Sequence, residues 1–178
     1  MVVEKLQDSF KAVKQFCNDH NLEINTSKTQ FIIFKTTSRK LPEDMAIELD
    51  GSSIPQCAVI KLLGVMLDQH LTFRDDVDAI RRKCHGALGM LAKVSHLLPE
   101  KLLLLLYSAV IRSHLEYASA VRVPAAKTHL DKLEAIQRIS ARIICHAPRD
   151  AHAGPLLDKL DLETLQVRRE LHVKQLVA

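Results

Sequence analysis

Phe73-Arg74-Asp75-Asp76 sets two adjacent carboxylates beside an aromatic residue, the kind of pair that can hold two metal ions around a transferring phosphoryl group. That chemistry needs apolar strands on both sides of the acids. Here the acids open an amphipathic stretch, where the positive end of a helix favours negative charge, so the pair reads as helix capping. Cys17-x-x-His20, Cys84-His85 and Cys145-His146 supply soft ligands, but a structural zinc site takes two closely spaced pairs and no Cys-x-x-Cys occurs. The thiols therefore read as core or surface residues, and no metal site is expected. The nine histidines come without a Gly-x-Ser-x-Gly elbow, so no nucleophilic triad is assembled. Neither a Walker loop nor a Gly-x-Gly-x-x-Gly phosphate loop is present.

Basic residues carry what chemistry remains. Arg81-Arg82-Lys83 wraps a predicted helix, with Arg82 four residues after Asp78, a spacing that permits an intrahelical ion pair. A solvated face is the plain reading of this cluster, and weak contact with a phosphate backbone is the functional one. Lys28, in the polar stretch Asn25-Thr26-Ser27-Lys28-Thr29, would by itself be one more exposed lysine.

Two unlike halves must position these groups. Val3, Leu6, Phe10, Val13 and Cys17 recur at helical spacing and predict a helix that stops near Asn18. Leu22-Glu23-Ile24 and Phe31-Ile32-Ile33-Phe34 predict a hairpin, and Ile47-Glu48-Leu49, Asp50-Gly51 and Ser53-Ile54 predict a second. Val59 to Leu67 reads as one further strand, in which Gly64 marks a bulge or a close approach. After Leu71 the period becomes helical. Thr72 and Asp75 form a predicted capping box ahead of a stripe of Phe73, Val77, Ile80, Cys84, Leu88 and Leu91. Leu103, Tyr107, Val110, His114 and Tyr117 mark a second helix. Leu130, Leu133, Gln137, Ser140 and Ile144 mark a third, with Asp131, Glu134, Arg138 and Arg142 on its opposite face. Gly154-Pro155 reads as punctuation before a last helix near Leu162 to Leu176. The predicted fold class is α+β: a small helix-plus-antiparallel-hairpin portion over residues 1–71, then an all-α region over 72–178. Its front half has too few strands to close a sheet, which predicts that the chain is one end of something larger.

Composition bounds the function. At 178 residues the chain excludes a large multidomain enzyme, and 47% hydrophobic with 26% charged residues excludes a disordered tail. A net charge of +4 tolerates a polyanion but falls short of a dedicated nucleic-acid clamp. Four widely spaced cysteines with no secretory signal ahead of them predict free thiols in a reducing, intracellular setting, nuclear or cytoplasmic. The most apolar run, Leu102 to Ile111, is about half the roughly 20 residues of a membrane helix, so no membrane partner is expected.

Leu22-Glu23-Ile24-Asn25-x-x-Lys28-Thr29-x-x-x-x-Phe34, then Leu63-Gly64-Val65-Met66-Leu67-Asp68, then Leu71-Thr72-Phe73 resemble, in order and spacing, the later blocks of non-LTR (LINE-type, jockey-like) retrotransposon reverse transcriptases. Leu106-Tyr107-x-x-x-Ile111-x-x-x-Leu115-x-Tyr117, Leu133-x-x-Ile136-Gln137-Arg138-x-x-x-Arg142-Ile143-Ile144 and Leu162-x-x-Leu165-x-x-x-Arg169 look like that family's thumb and post-thumb region. The resemblance implies that residues from Val2 to about Phe34 are the palm element called motif D. Lys28 then matches the lysine proposed to protonate the pyrophosphate leaving group. It implies that Leu63, Gly64 and Val65 belong to the primer grip, whose backbone holds the 3′ end of the nascent strand. Residues from Thr72 onward would form the thumb along an RNA/DNA template-primer duplex, with Arg81, Arg82 and Lys83 as weak, backbone-directed phosphate contacts.

The same resemblance implies what is absent. The family's metal-binding aspartates lie upstream of motif D, so the chain is expected to hold no cofactor, Mg²⁺ belonging only to the intact parent. The N-terminal palm and fingers of that parent become an expected partner, and this chain alone is expected to be inactive. Phe16, Phe73 and Arg122 stand where the family usually carries Trp, and Arg122 places a charge where a large apolar ring is expected, predicting disturbed thumb packing. The rival reading is a small helical protein-interaction module without a nucleic-acid role.

Overall fold

The structure, a computed structural model, describes residues 2–39, 46–49 and 51–177. The architecture is α+β, in two compact units, Met1–His70 and Leu71–Ala178.

The first unit begins with helix α1 (Val2–Asp19). Asn21 ends it in the left-handed region at φ 52°, and the Leu22 N–H reaches back to the Cys17 carbonyl at 2.8 Å. Strands β1 (Ala46–Leu49) and β2 (Ser52–Pro55) pair antiparallel with Ile47 opposite Ile54, and Gly51 takes φ 74° between them. Asp50, its predicted turn partner, lies outside the described residues. Ile47, Leu49 and Ile54 are buried and pack with Phe10 of α1 and Phe31. Burying these side chains is what holds the helix to the hairpin, because every second strand residue faces the same side.

Two predicted elements are corrected here. Val59 to Leu67 is a second antiparallel hairpin, β3 (Val59–Leu62) and β4 (Val65–Asp68), and not one strand. Leu63 at φ 46° and Gly64 at φ 88° reverse the chain, the two positive values that tight hairpin turns demand. Gly64 takes that conformation without strain, while Leu63 hides the turn inside an apolar run. The predicted pairing of 22–24 with 31–34 does not form. Asn25 instead accepts from Ser27 Oγ at 2.6 Å and Lys28 N at 3.1 Å, folding Thr26–Lys28 into a 3₁₀ turn. The following segment bonds elsewhere: Cys57 N donates to Phe31 O at 2.8 Å, and Lys35 N to Gln69 O at 2.9 Å.

The second unit packs α2 (Arg74–Val94), α3 (Glu100–Leu106), α4 (Ser113–Glu116), α5 (Lys127–Ile144), α6 (Ala153–Lys159) and α7 (Leu165–Val177) around one core. The α2 stripe is buried as the spacing predicts, with Phe73, Val77, Cys84, Leu88 and Leu91 inside. In α5, Leu133, Ile136, Gln137, Ser140 and Ile144 are likewise buried. The second stripe is corrected. A π-helical turn over Tyr107–Arg112 joins α3 to α4 and adds a residue to the repeat. Buried positions therefore step by four, Leu103, Tyr107, Ile111 and Leu115, while Val110, His114 and Tyr117 are exposed. Gly154 and Pro155 do not interrupt the chain either. They sit in the first turn of α6, where a missing N–H removes no bond.

The capping box at Thr72 and Asp75 does not form. Phe73 is turned into the core at φ 57°, so α2 starts one residue later and Thr72 Oγ1 accepts from Arg74 N at 3.3 Å. Asp75 stays exposed, whereas Asp76 is 3% exposed and faces Arg122, whose Nη1 lies 3.6 Å from its Oδ2. Arg122 is 1% exposed and donates to Tyr117 O at 2.8 and 2.5 Å and to Leu115 O at 3.2 Å. The expectation of disturbed packing at Arg122 is thus overturned. Burial pushes its guanidinium below its ordinary value and Asp76 opposes that, so the charge is retained where it satisfies the last carbonyls of α4.

Polar groups finish the unit. Glu116 accepts from Arg112 Nε at 2.6 Å and from both Nε and Nη2 of Arg168, the latter at 3.0 Å. Glu134 caps α7 by accepting Gln166 N at 2.8 Å and Leu165 N at 3.4 Å.

Arg122→Met leaves Asp76 buried without its counter-charge, and the expected loss is about 3–5 kcal/mol in urea unfolding. An unchanged midpoint would contradict this account of the pair. Burial works to raise the Glu116 carboxyl, but the hydrogen bonds from Arg168 and Arg112 outweigh it and hold it below its ordinary value. A depressed folded value means that Glu116 stabilises fully above the unfolded value of about 4.3 and ceases to do so as pH falls through the folded one. Glu116→Gln is therefore expected to cost at least about 1 kcal/mol at neutral pH, with the gap to the parent protein closing below about pH 4.

Candidate nucleic-acid interface

The residues singled out from sequence fall into both units. Lys28 is exposed at the end of the 3₁₀ turn that Asn25 caps. Leu63 and Gly64 form the tip of the β3–β4 hairpin, with Leu63 83% exposed, whereas Val65 is buried and offers only its backbone. Arg81, Arg82 and Lys83 are exposed on α2.

What Arg82 touches differs from the expected ion pair with Asp78. The Asp78 carboxylate is taken by Lys132 of α5 at 3.1 Å, whose hydrogen bond holds the acid below its ordinary value. Arg82 Nε reaches only the Asp78 carbonyl, at 3.4 Å, and Arg81 Nε donates to His85 Nε2 at 3.3 Å. Among the described residues, none of the three basic side chains pairs with a carboxylate. Sequence reasoning missed Lys132, which lies more than fifty positions from its partner and carries no local signal.

The surface beside this cluster has a definite form. Arg82, Gly86, Gly89 and Lys93 follow one another at spacings of four, three and four, so they make a single row along α2. All four are exposed, and a Cβ built on either glycine meets no atom within 4 Å. The row is bare backbone between two basic residues, about 16 Å long at 1.5 Å per residue. No packing demand in the unit accounts for the glycines, each of which costs about 1 kcal/mol relative to Ala in a helix interior.

Other chemistry fits less well. Asp75-Asp76 does not suit a divalent metal, because Asp76 is buried against Arg122 and a cation there would displace the guanidinium. Among the described residues no three His, Cys, Asp or Glu side chains converge on a point that could hold a metal ion. Cys84 is fully buried, and burial pushes its thiol up to about 11, away from the reactive thiolate. No described helix is long and apolar enough to cross a membrane.

Comparison with known proteins gives a consistent relation. The RNA-directed DNA polymerase from mobile element jockey of Drosophila funebris is 27% identical over 180 aligned positions, covering 95% of this chain and 19% of that protein. The probable RNA-directed DNA polymerase from transposon X-element of Drosophila melanogaster is 30% identical over 144 positions, 78% of this chain and 15% of that protein. Its counterpart from transposon BS of Drosophila melanogaster is 26% identical over 176 positions, 96% of this chain and 19% of that protein. No family model matches the chain, and no solved structure matches it significantly. The chain spans less than a fifth of the length of these curated relatives. It is homologous to a segment of the RNA-directed DNA polymerases of jockey, X-element and BS non-LTR retrotransposons.

Proposed function

We propose that this chain acts as the primer-grip and thumb part of a non-LTR retrotransposon reverse transcriptase, contacting a template-primer duplex through the sugar-phosphate backbone and adding no nucleotide by itself. The observation that carries this reading is the α2 row. Arg82 and Lys93 flank bare helix backbone at Gly86 and Gly89, and Arg81 and Lys83 stand beside it without carboxylate partners. A phosphodiester chain can approach this row closely because Gly86 and Gly89 carry no side chain, and the guanidinium and ammonium groups neutralise its charge. Contacts of this kind position a duplex without reading its sequence, which suits a polymerase that must accept any template.

In the first unit the exposed Leu63-Gly64 turn offers backbone groups to a primer terminus, in keeping with a primer grip, and Val65 fixes that turn by burying its side chain. Lys28 would act only beside a palm that carries the metal-binding aspartates. The partners of this reading are therefore the template-primer duplex and the palm and fingers of the parent polymerase, with Mg²⁺ held by the parent. Phosphoryl transfer depends on carboxylates that clamp two metal ions, and of the Asp75-Asp76 pair Asp76 is already engaged by Arg122.

Fluorescence anisotropy on a DNA primer annealed to an RNA template tests this directly. The expected affinity is about 10⁻⁴ to 10⁻⁶ M near physiological salt, falling steeply as salt rises. Replacing Arg81, Arg82 and Lys83 together by Ala is expected to flatten the log–log salt slope by about one for each phosphate that is no longer neutralised. Binding that ignores salt, or that the triple replacement leaves intact, sinks the duplex reading. Gly86→Ala with Gly89→Ala is expected to raise protein stability by about 1 kcal/mol per site while weakening binding to the duplex, the two effects moving in opposite directions. On the same primed template with Mg²⁺ and all four deoxynucleotides, no primer extension is expected, and extension would refute the inactivity of the chain alone.

A further inference from the structure

Between α5 and α7 the second unit opens a cleft of about 730 Å³, within the size range of ligand sites. Arg169 lines it and is 7% exposed, yet among the described residues its guanidinium makes no hydrogen bond or ion pair. Its five N–H donors thus have no acceptor on the protein and meet only the solvent of the cleft. The two acids near it are spent elsewhere. Glu134 gives its oxygens to the first N–H groups of α7, and Glu170 accepts from Gln166 Nε2 at 3.3 Å. Both acids favour the positive charge from a distance while burial works against it, lowering its pKa. A planar oxyanion entering from the open side of the cleft would supply the missing acceptor, in the forked geometry a guanidinium prefers.

The remaining walls say which oxyanion. Leu130, Leu157 and Val173 line the same cleft and suit aliphatic groups, and its other charges are mixed, Lys127, Arg138 and Lys174 with Asp131, Glu134 and Glu170, a pattern that suits one isolated anion better than the successive phosphates of a nucleic-acid strand. One carboxylate among apolar neighbours satisfies both demands. We propose that the α5–α7 cleft binds a peptide segment of a protein partner through a single acidic side chain received by Arg169, with aliphatic residues beside it seated on Leu130, Leu157 and Val173. This site is independent of the α2 row and of the duplex reading.

The test is a ¹H–¹⁵N titration of the full chain with the blocked peptide acetyl-Leu-Glu-Leu-amide, following the Arg169 Nε–Hε signal and the amides of α5 and α7. Saturable shifts with a Kd of about 1 mM are expected for so small a ligand. The Gln counterpart of the peptide should bind at least about tenfold more weakly, a loss of roughly 1.4 kcal/mol. Arg169→Gln, its fold checked in the same spectrum, should lose the shifts, and the Gln peptide decides the matter on the unaltered protein if that variant fails to fold. Equal binding of the Glu and Gln peptides would overturn the proposal, as would the absence of saturable shifts up to about 10 mM. So would tighter occupation of the cleft by the dinucleotide UpU, which would make it a phosphodiester site.

Discussion

The second unit depends on a buried charge. Arg122 joins two backbone carbonyls near the end of α4, those of Leu115 and Tyr117, to the Asp76 carboxylate in the first turn of α2, with almost no contact with water. A guanidinium is suited to this because its planar fork offers several donors at once to acceptors that one helix end leaves open. Removing either partner leaves the charge of the other uncompensated in a low-dielectric interior. The pair therefore constrains where α2 begins, and it stands in for the capping box that Phe73 displaces.

A charged residue at a position where a large ring is expected reads, from sequence alone, as disturbed packing. Position 122 shows why that inference fails. Its meaning lies in Asp76, Leu115 and Tyr117, which are distant in the chain or contribute only their carbonyls, and no composition or periodicity argument sees a carbonyl. The α2 and α5 stripes were legible because a helix buries residues at a period its own geometry fixes. The α3–α4 stripe was legible only to Tyr107, since a single π turn resets the phase without altering composition. In the first unit, Gly64 announced a special backbone position, but Leu63 concealed that the position was a reversal. The pairing of 31–35 with 56–57 and 69 was decided by a cap at Asn25, a choice between two local hydrogen-bonding schemes that strand propensity does not weigh.

The candidate interface was legible in a similar measure. The run Arg81-Arg82-Lys83 is visible at once, but whether it is neutralised depends on Asp78, and the helix alone suggests that it is. Lys132 settles the matter by taking that carboxylate across the α2–α5 contact. One interhelical pair thus does two things, tying α5 to α2 and leaving the arginines unpaired. The glycines at 86 and 89 carried no signal of their own, because an exposed glycine looks the same whether it serves an approach or nothing at all.

These features bear on one another through the stability of α2. The helix lacks a side-chain cap at its first position and carries two interior glycines, so its intrinsic preference is poor over the very stretch that offers bare backbone. Its order must come from tertiary contacts: the buried stripe of Val77, Cys84, Leu88 and Leu91, the Asp76–Arg122 pair at its start, and the Asp78–Lys132 pair two residues later. A rigid, low-relief basic face is difficult to build from local propensity, since the residues that stabilise a helix surface are the long side chains that would obstruct it. Buried contacts on the opposite face remove that conflict. The anchoring at Arg122 is then what allows α2 to keep its glycines, and the position expected to disturb the packing supports the surface on which the duplex reading rests.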